Sequence, residues 1–252
     1  MIPKIIHYCW FGKGDKPPMV QKSIASWRKY FPDYEIIEWN EDNFDVNQTD
    51  YMREAYSNKK WAFVSDFARL VVVYQQGGIY FDTDVEVVKN FEPLLERGGY
   101  LCFENASEDA MGKEVATGLG FAAPPQNEVI LKLIQEYEGV HFLKDGEMDL
   151  TPCPARNTSA LVKLGLITDG SMQKIQDMII YPFEYFCGYD MTNTCIVRTK
   201  NTYTIHHYTA SWKEKMSCTD WLKYKVVIKL LQFVLGYKGY KKVKSYWKNR
   251  GW

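Results

Sequence analysis

The 252-residue sequence holds six cysteines (Cys9, Cys102, Cys153, Cys187, Cys195 and Cys218), and no two of them stand at CxxC spacing. That excludes the common zinc and dithiol redox motifs. A chain of this length needs no disulfide staples, so reduced thiols are expected. Long apolar runs are missing too. The longest near the end, residues 226–235, is broken by Lys229 and Gln232 and falls short of the roughly 20 residues that span a bilayer. The opening residues show no basic stretch followed by a long apolar one, so no secretory leader is expected, and a cytoplasmic protein is. Net charge is absent as well. Lys+Arg and Asp+Glu both number 31, which removes the basic excess that nucleic-acid binders need. With 46% apolar residues and no repeat or low-complexity stretch, the chain can bury a core.

The charge balance hides a local asymmetry. Residues 221–252 carry nine Lys/Arg and no Asp or Glu, so the remaining 220 residues hold 22 basic and 31 acidic groups, a formal −9. We therefore divide the chain into a body, residues 1–220, and a basic tail, 221–252. The tail interleaves Trp221, Tyr224, Phe233, Tyr237, Tyr240, Tyr246, Trp247 and Trp252 with its cations. Val226, Val227, Leu230, Leu231 and Val234 recur at helical spacing. Two readings stand: a terminal helix docked on the body, or a peripheral anchor whose lysines meet anionic headgroups at about 1 kcal/mol each.

Periodicity predicts an α/β body. Strands are expected at 4–8, 34–39, 79–81, 85–88, 100–103, 118–122, 179–181 and 203–205. Helices are expected at 19–30, 62–76, 128–138 and 159–164, with long loops at 105–117 and 140–158. The helix at 62–76 is the clearest, with Phe63, Val64, Phe67, Leu70, Val71 and Tyr74 on one stripe and Gly77-Gly78 as its stop.

The sharpest chemical signal is Asp82-Thr83-Asp84, directly after a short apolar strand. At a few ångströms and an effective dielectric near 20, two such carboxylates repel by on the order of 4 kcal/mol. A cation resolves that conflict, and hard oxygen ligands select Mg²⁺, Mn²⁺ or Ca²⁺. A solvated acidic turn is the bland alternative. Asp66 and Arg69, three apart on one helix flank, make either a surface ion pair or a grip for sugar hydroxyls. His206 and His207 follow a β-like run; in extended chain they face opposite ways, so only one reaches a given metal.

These motifs, taken in order, resemble the family-32 glycosyltransferases, the DXD sugar-binding group. The order runs Ile2-Pro3-Lys4-Ile5-Ile6-His7-Tyr8-Cys9-Trp10-Phe11-Gly12, then Ser26-Trp27. Ala62-Phe63-Val64-Ser65-Asp66-Phe67-Ala68-Arg69 follows, then Gly77-Gly78-Ile79-Tyr80-Phe81-Asp82-Thr83-Asp84, and finally His207 with Ser211-Trp212. The likeness is good over the first ~90 residues and 203–213, loose over 100–200, and absent in the tail. That group includes bacterial capsular-polysaccharide enzymes and yeast initiating mannosyltransferases, and the glucosyltransferase domains of the large clostridial toxins are more distant. The resemblance implies a GT-A, Rossmann-like single domain with a mixed, mostly parallel central sheet and a helical C-terminal extension. It also implies a retaining, Mn²⁺- or Mg²⁺-dependent transfer of a hexose from a nucleotide sugar, UDP-linked first and GDP-mannose second. The acceptor would be a glycan or lipid-linked glycan in surface or capsular polysaccharide synthesis, at the inner face of the cell membrane. Carried over residue by residue, Trp10 stacks on the base, and Asp66 and Arg69 hold donor sugar and ribose hydroxyls. Tyr80 lines the donor pocket, Asp82 reaches the ribose or sugar through the metal, Asp84 binds the metal, and His207 adds a ligand. Ser211 and Trp212 contact the diphosphate from a mobile loop. Trp10 as a core residue and His206 as the ligand remain the alternatives at those positions. Two rival functions share the motif. One is a haloacid-dehalogenase-like phosphatase, which Phe81-Asp82-Thr83-Asp84-Val85 fits but which needs a later Lys and a second acidic pair. The other is a sugar- or metal-binding module without turnover.

Overall fold

The computed structural model describes residues 1–104, 113–190 and 195–209. In chain order the strands are β1 (Ile5–Cys9), β2 (Glu35–Trp39), β3 (Gly78–Tyr80), β4 (Val85–Val87), β5 (Gly99–Cys102) and β6 (Phe121–Ala123). Then come β7 (Leu143–Lys144), β8 (Glu147–Met148), β9 (Gln173–Ile175), β10 (Met178–Tyr181), β11 (Tyr189–Asp190), β12 (Cys195–Ile196) and β13 (Thr204–His206). The helices are α1 (Pro18–Tyr30), α2 (Asp50–Ser57), α3 (Trp61–Gln76), α4 (Glu92–Leu95), α5 (Glu128–Gln135), α6 (Cys153–Lys163) and α7 (Phe183–Phe186).

Seven strands form one sheet in the order β2-β1-β3-β6-β5-β10-β9. β6 is antiparallel to both its neighbours and β9 to β10, while the other pairings are parallel, so five of the seven strands run one way. This is the mixed, mostly parallel α/β architecture that the sequence implies. Side chains alternate between two cores as the pleat requires. In β5, Tyr100 and Cys102 join Trp27 of α1 and Phe186 of α7 on one face. Leu101 joins residues of α2, α3, α5 and α6 on the other. Strands buried on both faces are near-continuously apolar, which is why β3, β5 and β6 are buried at every position.

The α3–β3 connection sets the site's position. Gly77 and Gly78 take φ of +67° and +103°, and a Cβ on Gly78 would lie 2.7 Å from the Ile5 carbonyl oxygen. Only glycine turns the chain here and lets β3 lie against β1. His7 pins the same corner. Trp39 donates its indole N–H to His7 Nδ1 at 3.1 Å, so His7 Nε2 carries the proton and donates to the Gly77 carbonyl at 2.8 Å. Burial holds this imidazole down at about 4, so it is neutral. Among the described residues, Cys9, Cys102 and Cys153 are buried free thiols, and Cys187 is buried too.

Some elements differ from the sequence expectation. The stretch 140–158, expected as loop, contains the β7–β8 hairpin and the first half of α6. That half carries Pro154 within its first turn, where a missing N–H costs nothing, and buries polar Asn157 instead of an apolar residue. The strand expected from 118 begins at Phe121, because Thr117–Leu119 forms a 3₁₀ turn and Gly120 takes φ +103°. α2 was not expected. It is short, and Thr49 caps it by accepting from the Met52 N–H at 3.1 Å. The tail and the 220/221 boundary lie outside the described residues.

Candidate active site

Parallel strands leave their carboxyl ends along one edge of the sheet, where open α/β folds bind ligands. Trp10 leaves β1 at that edge, Asp82 follows β3 and Phe81, and Glu104 follows β5. β4 then doubles away from the main sheet and pairs antiparallel with β13, with His206 opposite Val85.

One wing of the site is built on α3. Arg69 is buried in the interior of that helix, and a buried guanidinium is costly unless each donor is used. Its Nε donates to the Ser65 carbonyl at 3.0 Å, and its Nη2 reaches Asp66 Oδ1 at 2.6 Å and Asp82 Oδ1 at 3.3 Å. It also lies over the Tyr80 ring, 5.2 Å from the centroid. The expected pair Asp66–Arg69 is therefore formed, and it is no surface bridge: the two side chains are 13% and 4% exposed. Burial pushes Asp66 up to about 6, with Arg69 opposing and Asp82 adding to the rise.

Tyr80 is fully buried, and its hydroxyl donates to Asp82 Oδ1 at 2.9 Å. The resemblance put this ring on the pocket wall; the geometry makes it the support behind Asp82. Gly118 closes the other side, where an added Cβ would stand 2.5 Å from Asp82 Oδ2 and 3.0 Å from Arg69 Nη1. The turn carrying Gly118 is fixed in turn by Asn157 of α6, whose amide donates to Thr117 Oγ1 at 3.1 Å.

The second wing forms around Asp84. His206 Nε2 lies 3.1 Å from Asp84 Oδ1, while the Thr209 N–H and hydroxyl donate to Asp84 Oδ2 at 2.8 and 2.9 Å. Tyr208, at φ +47°, turns the chain so that Thr209 can reach back. Burial alone would raise Asp84, but His206 and Thr209 outweigh it and hold this carboxyl well below the usual range. Asp82 moves the other way, raised by burial against the pull of Arg69. His206 is raised despite burial because it faces Asp84.

The imidazole expected at the pair was that of His207. The structure places His206 there instead. His207 points to the opposite side, its Nε2 2.8 Å from Glu86 Oε2, which Lys22 also engages at 2.8 Å. Alternation along β13 allows one histidine on each face, and the register with β4 decides which faces Asp84. Trp10 stands at the edge, partly buried, its indole N–H donating to the Gly14 carbonyl at 2.7 Å. Ser211 and Trp212 lie outside the described residues.

Asp82, Asp84 and His206 each offer a ligand atom, and these atoms lie within 4.8 Å of one another. Two hard carboxylates and one imidazole suit Mn²⁺ or Mg²⁺. Sequence reasoning missed Gly118, Thr209 and Glu104. Glu104 is partly buried at the same edge, with burial and nearby Glu114 pushing it up to about 7.

Comparison with known proteins places this geometry. Residues 17–99 match the family described as "Glycosyltransferase sugar-binding region containing DXD motif". Inositol phosphoceramide mannosyltransferase 1 of Schizosaccharomyces pombe is 28% identical over 153 residues, 56% of this chain and 43% of that one. Inositol phosphoceramide mannosyltransferase 3 of the same yeast is 33% identical over 102 residues, 37% and 27% of the respective chains. The chain thus spans less than half the length of these curated relatives. Among solved structures, the PaToxG glycosyltransferase aligns with TM-score 0.46 and 22% identity over 64% of this chain and 69% of that one. The galactosyltransferase LgtC, in complex with donor and acceptor sugar analogs, aligns with TM-score 0.45 and 12% identity over 88% and 93%. Among the described residues, the ion-pair partners of Asp82 and Asp84 are Arg69 and His206, and neither is the lysine that the phosphatase alternative needs. Residues 17–99 are thus similar to a glycosyltransferase sugar-binding region, and the DXD motif within them, Asp82-Thr83-Asp84, stands at the carboxyl edge of a mixed, mostly parallel α/β sheet.

Proposed function

We propose that this chain moves a hexose from a nucleotide sugar to a glycan or lipid-linked glycan, with retention, in surface or capsular polysaccharide synthesis. One observation carries the reading: the Asp82, Asp84 and His206 ligand atoms converge beside a buried Asp66–Arg69 pair. Asp82, Asp84 and His206 would hold Mn²⁺ or Mg²⁺, with Thr209 orienting Asp84 and Tyr80 orienting Asp82. When bound, such an ion neutralises the charge that builds on a departing diphosphate. Arg69 is fixed before substrate arrives, so its positive field costs no reorganisation during the reaction. Asp66, beside it, accepts hydrogen bonds from sugar hydroxyls. The Trp10 ring stacks on the nucleotide base. Ser211 and Trp212 close over the diphosphate and exclude water, so that the acceptor hydroxyl attacks. No carboxylate is offered here as a nucleophile; attack on the same face, assisted by the leaving phosphate, is the reading we adopt.

A UDP-hexose is the first donor to test. The mannosyltransferase names of the two yeast relatives bring GDP-mannose forward as the second. The experiment is a melting-temperature panel of both donors with and without Mn²⁺. A rise that needs donor and metal together, followed by release of free hexose, supports the proposal. Binding with no turnover would make the chain a sugar-binding module, and hydrolysis of p-nitrophenyl phosphate would revive the phosphatase.

Among the described residues no helix is long and apolar enough to cross a membrane. In our reading the basic, aromatic segment 221–252 holds the enzyme on anionic headgroups at the inner face of the cell membrane. Truncation at about residue 220 then weakens binding to anionic vesicles and spares donor hydrolysis.

A further inference from the structure

Among the described residues at the carboxyl edge, Glu104 is a carboxylate that the proposed transfer leaves unused. Glu104 follows β5, and its backbone N–H is fixed by the Glu114 carbonyl at 2.8 Å. Its side chain shares a hydrogen bond with the Tyr208 hydroxyl, and the Tyr208 ring stands edge-on to His206 with centroids 4.1 Å apart. Among the described residues the cations at this edge are spent elsewhere: Arg69 on Asp66 and Asp82, His206 on Asp84. Among the described residues Glu104 thus has a phenol for company and no lysine or arginine bridge.

Sheet order gives this position a meaning. Along the edge come Trp10 after β1, Asp82 after β3, the Gly118 turn before β6, and Glu104 after β5. With neighbouring strands about 4.8 Å apart, β5 lies about 10 Å from β3. A nucleotide stacked on Trp10 occupies the β1 side of the carboxylate pair. The acceptor has to enter from the other side, and Glu104 is the carboxylate that stands there. An ionised carboxylate only accepts hydrogen bonds, and an acceptor hydroxyl is a group that can donate one.

We infer that Glu104 is an acceptor-binding residue whose carboxylate takes a hydrogen bond from an acceptor hydroxyl beside the one that attacks the donor sugar or, when water is the acceptor, from the hydrogen of that water that is not transferred. The inference rests on the transfer reading above. In the step itself the acceptor oxygen bonds to the anomeric carbon as the bond from that carbon to the diphosphate oxygen breaks. The acceptor's proton leaves on the departing phosphate, and Glu104 is unchanged. Tyr208 holds the Glu104 carboxylate toward the edge and is its positioning residue.

The test uses the full chain with Mn²⁺, UDP-glucose and GDP-mannose as donors, and water as the minimal acceptor. Glu104→Ala should lower kcat for donor hydrolysis about a hundred-fold. Donor KM and the Mn²⁺ concentration at half-activity should stay within about two-fold of wild type. Glu104→Gln, which keeps the shape and one accepting oxygen, should lose less and fold normally. The inference is overturned if kcat for both variants stays near wild type. It is equally overturned if the Mn²⁺ half-activity point moves in step with kcat, since Glu104 would then serve only to prop His206. A wild-type chain that turns over neither donor overturns the transfer reading itself, and this inference with it.

Discussion

Gly118→Ala presses first on Asp82 and, less closely, on Arg69. The backbone of Gly118 lies outside the left-handed region, so alanine strains no dihedral, and the added methyl acts by contact alone. That methyl would sit 2.5 Å from Asp82 Oδ2, where ordinary contact begins at 3.4 Å. Asp82 must therefore retreat by about 0.9 Å, toward the Tyr80 hydroxyl and Arg69 that already hold its other oxygen. Overpacking of this kind costs about 1–3 kcal/mol. At roughly 2–4 °C per kcal/mol for a domain of this size, the melting temperature should fall by about 2–12 °C. Function should suffer more. A displacement near 1 Å exceeds the tolerance of about 0.5 Å for a catalytic constellation, and a loss of about a hundred-fold in donor hydrolysis is expected. The assays are thermal melting with and without Mn²⁺ and steady-state release of free hexose. Hydrolysis within about two-fold of wild type would show that Asp82 need not stand where the structure places it.

The two histidines should separate cleanly. His206→Ala should abolish the Mn²⁺-dependent melting shift and donor hydrolysis, while His207→Ala, whose lost ring bonds Glu86, should retain both; equal losses in the two would contradict the assignment. Metal binding should also depend on pH. His206 is raised above 6.5 by Asp84, and a metal needs its neutral form, so the Mn²⁺-induced shift should shrink as pH falls through that raised value. Without metal the sign reverses: the charged His206–Asp84 pair stabilises fully below 6.5 and is lost as pH rises through the raised value, so the apo melting temperature should decline there. His7 works on the acid side. Held down at about 4 against an ordinary 6.5, it contributes about 3 kcal/mol that is present above 6.5 and lost progressively between 6.5 and 4. An imidazole NMR titration should show His7 neutral at pH 5; a midpoint near 6.5 would remove that contribution.

What the sequence revealed of this site lies within single elements. Asp66 and Arg69 share one helix, and Asp82 and Asp84 follow one strand, so spacing alone set their relation. Choosing between His206 and His207 required the pairing of β13 with β4, a contact between segments more than a hundred residues apart. Gly118 and Glu104 were hidden for a similar reason. They reach Asp82's edge because β6 inserts between β3 and β5, an order that local pattern does not encode. The start of α6 was obscured by Pro154 and by a buried face made partly of Asn157, which hydrogen-bonds Thr117 where an apolar residue would have given the periodic signal.

The most direct measurement is anomalous diffraction at the manganese edge from crystals grown with Mn²⁺ and a nucleotide sugar. A peak at about 2.0–2.3 Å from oxygens of Asp84 and from the His206 imidazole, with Asp82 beside it, is the predicted result. A peak bound by Glu86 and His207, or none near Asp84, would contradict it.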